Sequence, residues 1–191
     1  MHAFDYLVLL FSFVYALAIA HVLATVGDMI VAVKRITFSW LHAGWMLAAL
    51  LPVVAYWIGF WELRNLPTWS MTSVGVFFLI ACLLYLETRL VCPRIPSEGT
   101  IDLDEYHLTE GRKYAGGYAA LAALTLVNNW VFGHAAGVGE WIAKDAAVAP
   151  MMLAAIAAAV FKNARVQALA LGVELAAWAW CFATLQSTLA G

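Results

Sequence analysis

From Tyr6 to Gly27 the chain carries no Asp, Glu, Lys or Arg. That stretch lies inside an apolar segment running from Phe4 to Val33. A helix rises about 1.5 Å per residue, so about 20 apolar residues cross a hydrocarbon core of about 30 Å. In lipid each span must satisfy its own backbone hydrogen bonds, which makes helix the expected form. A β-barrel would show alternating strands of about ten residues, and the chain has none of that pattern.

Five more segments follow, over 40–61, 69–91, 114–132, 146–161 and 165–189. The fifth, "AAVAPMMLAAIAAAVF", is short, Ala-rich and holds Pro150 near its start. The expected fold is an all-α, polytopic membrane bundle of six transmembrane helices, with residues 1–191 as one transmembrane domain. Composition agrees: 65% of residues are hydrophobic, mean hydropathy is +0.86 and 12% are charged. A soluble domain is roughly a quarter charged, so this chain lacks the polar residues to cover a wet surface. The start, "MHAFDYLVLL", lacks the basic region of a signal peptide, so the first segment is expected to be retained.

Charge orients the bundle. Lys34 and Arg35 lie between spans one and two. Arg89, Arg94, Arg112 and Lys113 flank the link from three to four. Lys162 and Arg165 lie between five and six. With six alternating helices, eight of the ten basic residues fall on one side and Arg64 and Lys144 on the other. The positive-inside rule then places both termini on the non-cytoplasmic side. Dropping the fifth span would move Lys162 and Arg165 to the wrong side. The longest link, "PRIPSEGTIDLDEYHLTEGRK" at 93–113, is acidic and reads as a cytoplasmic linker, with room for a short surface helix leading into span four. Residues 133–145 read as a small outer loop.

Ionisable groups inside spans usually face the bundle interior and mark function. His21, Thr25 and Asp28 recur at i, i+4, i+7 and share one helix face. Ser12, Ala16, Ala20 and Ala24 form a small-residue stripe on another face, a pattern that lets helices approach closely. Span six carries Gln167, Glu174 and Trp178 on one face, and span three carries Glu87 near its inner end. Glu174 lies roughly 12 Å from the inner end of its helix and His21 roughly 8 to 18 Å in, so the two overlap in depth. The candidate polar site is therefore His21, Thr25, Asp28, Glu87 and Glu174. Asp28, His42 and Arg89 also suit an interfacial position, and Asn128 and Asn129 suit helix-to-helix hydrogen bonding.

Several chemistries are disfavoured. Net charge is −2 with no dense basic patch, so no nucleic-acid partner is expected. Cys82, Cys92 and Cys181 form no CxxC pair, and neither a disulfide nor a metal is expected. His21 and His42 differ by about 15 Å in depth, unsuited to two-histidine haem ligation. No span holds a central lysine, and no HExxH, P-loop or GxSxG pattern occurs. Neither a catalytic site nor a cofactor is expected.

The stretches "FDYLVLLFSFVYALAIAHVL", "SWLHAGWMLAALLPVVAYWIGFWELR" and "DEYHLTEGRKYAGGYAAL" resemble a family of small, functionally unassigned bacterial inner-membrane proteins. The resemblance covers roughly residues 3–132 and implies a compact multi-pass bundle in the bacterial inner membrane. A weaker likeness is to bacterial relatives of the lysosomal potassium/proton channel. These carry Phe-Ser-Asp in their first helix, where this chain has Phe11, Ser12 and Phe13. No channel residue carries over.

The expected function is transport, by an oligomeric ion or proton channel or a small transporter using the polar seam. The alternatives are an accessory or scaffold subunit of a membrane complex, and a lipid-, quinone- or haem-binding membrane protein. Expected partners are membrane lipid and further copies of the chain or other subunits.

Overall fold

The computed structural model describes residues 3–65, 68–133 and 145–189. Among these, six α-helices form the body: α1 (Ala3–Val31), α2 (Trp40–Gly59), α3 (Met71–Val91), α4 (Leu103–Gly133), α5 (Val148–Val160) and α6 (Ala164–Leu189). Most of the expected 133–145 loop, with Lys144, lies outside the described residues.

Short polar side chains start several of these helices, each offering an oxygen to an N–H that has no helical partner. Ser39 accepts from His42 N at the head of α2. Ser70 does the same for Ser73 N in α3. Asp102 accepts from the N–H groups of Asp104 and Glu105 and starts α4. Asn163 accepts from Arg165 N and starts α6. Helix α4 thus begins eleven residues before the apolar run at Tyr114. The 93–113 segment is divided into a loop and three turns of helix continuous with the fourth apolar segment.

Four helices are long and apolar enough to cross a bilayer: α1 from Phe4, α2, α3, and α6 from Ala164 to Thr184. The chain is a membrane protein. Helix α5 has 13 residues and rises only about 20 Å. It packs along α4 through Met151, Ala154, Ala155 and Ala158, spaced i, i+3, i+4, i+7 and all buried. The alanines permit the close approach on which association in lipid depends.

Three links meet at one end. Ile36–Thr37 (β1) pairs in parallel with Ile101–Asp102 (β2), joining the α1–α2 and α3–α4 connections. Arg35 Nη1 donates to the carbonyls of Pro96 and Ser97, at 2.8 and 2.6 Å. Arg112 Nε donates to Ala159 O at 2.9 Å, bringing in the end of α5. Arg35, Arg94 and Lys162 belong to the links that meet here, and this is the basic end of the bundle.

The interior has two parts. Toward the opposite end, Phe11, Phe60 and Phe77 pack with Ile80, Leu84 and Leu121, with Phe11 and Phe60 centroids 5.0 Å apart. Toward the basic end, Trp45, Tyr114 and Tyr118 pack with Met151, Ala155 and Leu171. The buried face of α1 is Phe11, Tyr15, Ala18, Val22 and Thr25. The alanine stripe expected to pack inward (Ala16, Ala20, Ala24) is exposed instead. Lipid tails are as apolar as Leu, so hydrophobicity alone does not choose which face of such a helix turns inward.

Helices α2 and α6 touch closely at Gly44, where a Cβ would overlap the Leu171 side chain. Replacing Gly44 with Leu is expected to destabilise the bundle by about 1–3 kcal/mol through overpacking. Reversible unfolding in detergent micelles would measure it.

Candidate functional site

Pro52 stands inside α2 and has no N–H to give to the carbonyl four residues earlier. That carbonyl belongs to Ala48, and the Tyr118 hydroxyl of α4 donates to it at 3.2 Å. The same hydroxyl oxygen accepts from Trp178 Nε1 of α6. Tyr118 is thus fixed between α2, α4 and α6 by its own proton and by an incoming one.

Two carboxyl groups share this layer. Glu174 of α6, fully buried, lies beside the Tyr118 hydroxyl. Glu87 of α3 is 1% exposed and within electrostatic reach of Glu174. No oxygen of either carboxyl makes a well-formed hydrogen bond to the protein. Glu87 is seated against α4 at Gly117, where a Cβ would overlap its Oε2. The glycine is what admits the carboxyl to the backbone.

A second polar group adjoins it at the basic end. His42 of α2 and His107 of α4 are buried, with ring centroids 6.4 Å apart. His107 Nδ1 hydrogen-bonds the Tyr114 hydroxyl, and Tyr106 stands edge-on to His42 at 5.2 Å. Tyr114 lies within electrostatic reach of Glu87, which links the two groups. Gln167 of α6 closes the layer, its Nε2 donating to the carbonyls of Ala158 and Phe161 at the end of α5. At the surface, Asp104 accepts from the Ser39 hydroxyl.

The residues expected from sequence are only partly gathered. Glu87 and Glu174 come together. His21 is half-buried and meets Arg89, whose Nη1 lies 3.1 Å from His21 Nε2, so the overlap in depth with Glu174 does not become a contact. Thr25 is buried and its hydroxyl returns to the His21 carbonyl at 3.0 Å. Asp28 is exposed. Sharing one helix face therefore does not make these three one interior seam: the buried face of α1 is rotated so that Thr25 points in and Asp28 out.

Sequence reading did not single out His107, Tyr114, Tyr118 or Gly117. The signal was present, since His107, Gly111, Tyr114 and Tyr118 recur at i, i+4, i+7, i+11 and mark one helix face. Half of that stripe falls within the acidic link, where hydropathy marks no helix. Among the described residues, no group of three His, Cys, Asp or Glu is placed to hold a metal.

Comparison with protein-family models, curated proteins and solved structures finds no match. The geometry of the site therefore carries the functional reading.

Two outcomes test this geometry. Tyr118→Phe leaves the Ala48 carbonyl without a donor and is expected to cost about 1–3 kcal/mol. In a Pro52→Ala background the cost should be smaller, because the substituted alanine restores the helical N–H, and a double-mutant cycle in micelles reads the difference. Separately, burial holds the His107 imidazole below its ordinary range, while Asp104 and Gln167 pull it upward. The unfolded chain then takes up a proton near pH 6.5 that folded His107 resists. That contribution to stability is complete above about pH 6.5 and is lost as pH falls toward the folded value. Acid-induced loss of stability is expected to be smaller in His107→Gln, measured as unfolding midpoint against pH.

Proposed function

We propose that this protein is a six-span protein of the bacterial inner membrane, with both termini on the non-cytoplasmic side. Its function is transport coupled to protons, which bind and leave at Glu87 and Glu174. One observation carries this reading. Tyr118 has a single hydroxyl proton and gives it to Ala48. Trp178 occupies part of its acceptor capacity. While that proton stays with Ala48, a bond between Tyr118 and Glu174 takes its proton from the carboxyl. A protonated Glu174 leaves Ala48 its donor, whereas an ionised one competes with Ala48 for the Tyr118 proton.

Glu87 adds coupling. Two carboxyls in one low-dielectric interior repel when both are charged, so they titrate as a pair. Each comes from a different helix, so gaining or losing a proton changes the force between α3 and α6. All the residues belong to one chain, and the site needs no subunit axis.

The six-span reading rests on the basic end. The β1–β2 pair and the Arg35 and Arg112 bonds tie three basic links together, as alternating helices require. Helices α4 and α5, the two least able to span alone, are packed against one another. Outward side chains such as Leu9, Phe13, Leu23 and Ile30 are exposed and suit lipid.

The test is proton flux in liposomes carrying the purified protein under an imposed pH gradient. Wild-type protein is expected to conduct or exchange protons. Glu174→Gln and Glu87→Gln should retain the fold and reduce flux at least about tenfold, since a fixed amide cannot release a proton. His21→Ala should leave it unchanged. Full flux in both glutamine variants would remove the pair from the mechanism, and absence of flux in the wild type under every gradient would overturn the transport reading.

A further inference from the structure

Glu87 lies about one turn from the basic end of α3 and Glu174 about three turns into α6, both buried, so protons reaching them from the basic face need carriers. The buried imidazoles of His42 and His107 occupy the intervening position. Neither nitrogen of His42, nor His107 Nε2, has a well-formed hydrogen bond to the protein. The large majority of buried side-chain polar atoms are paired, so three such nitrogens in one small volume call for an explanation.

Their surroundings run in one direction. Asp104 is exposed at the basic end and acts electrostatically on both rings. Tyr106 borders His42. His107 Nδ1 is joined to the Tyr114 hydroxyl, and the His42 and Tyr114 ring centroids are 6.2 Å apart. Tyr114 lies within electrostatic range of Glu87, and Glu87 within that of Glu174. From α6, Gln167 faces His107 and cannot titrate. These groups come from α2, α3, α4 and α6, so the line is a product of the fold.

We infer that His42, His107 and Tyr114 form the route by which protons pass between the basic face and Glu87. The inference rests on Glu87 and Glu174 being the proton site. Each transfer balances. A proton arriving at His107 Nε2 is matched by one leaving Nδ1 for the Tyr114 oxygen. Tyr114 in turn releases its own hydroxyl proton toward a Glu87 oxygen. Passage in the reverse direction uses the same bonds, and His42, bonded to neither in this structure, turns its ring to relay protons between Asp104 and His107. Imidazole suits the task because one nitrogen can accept while the other donates.

The test follows isotope exchange, which needs no transport. Protein in lipid nanodiscs is moved from H2O to D2O, and the carbonyl stretch of protonated carboxyl groups is followed by infrared spectroscopy. Loss of the band in Glu174→Gln or Glu87→Gln assigns it. His42→Gln and His107→Gln are each expected to slow its exchange at least about tenfold, with its position unchanged. Tyr114→Phe gives the same test where a histidine variant does not fold, and His21→Ala should exchange at the wild-type rate. Wild-type exchange in His42→Gln, His107→Gln and Tyr114→Phe would overturn the route and leave the carboxyl site standing. Absence of any assignable carboxyl band in the wild type would overturn both.

Discussion

In α2 the ring of Pro52 removes the N–H that the Ala48 carbonyl would accept, and Tyr118 supplies a replacement from α4. Within a hydrocarbon layer there is no bulk water to fill that gap, so the bond fixes where α4 must sit. Trp178 then donates to the same oxygen and brings α6 into place. Glu174 is one turn earlier on α6 and faces Tyr118 as a consequence. A backbone defect in one helix thus sets the position of a carboxyl on another.

The rest of the interior is divided by chemistry. One half is an aromatic and aliphatic core, in which Phe11 of α1 and Phe77 of α3 pack with Phe60 just past the end of α2. The other half mixes Trp45, Tyr114 and Tyr118 with buried His, Gln and Glu. Polar groups are costly there unless they serve packing or chemistry. At Gly117 the Glu87 carboxyl lies against the α4 backbone, where a Cβ would displace its Oε2. Glu87, Glu174, His42 and His107 all lie in this half.

The same contrast explains what could be read in advance. Lengths and charges of the apolar segments located the helices, because membrane thickness and the charge of connecting links act on each segment separately. Glu87 and Glu174 could be named, because a carboxyl in an apolar run stands out. The inward direction expected for Ala16, Ala20 and Ala24 does not hold, since lipid rewards no apolar face of α1 over another. His107 was legible as a residue but not as part of a site, because its helix begins inside an acidic link.

The sequence by itself determined that this is a membrane protein made of helices and that acidic groups lie within its apolar segments. Hydropathy and charge are local properties, and the bilayer responds to them one segment at a time. Only the tertiary structure decided that Glu174 belongs with Tyr118 and Glu87 and that His21 belongs with Arg89. Depth along a helix is fixed by counting residues, whereas rotation about its axis is fixed by neighbours. In this bundle the bonds of Tyr118 to Ala48, left open by Pro52, and to Trp178 hold that rotation.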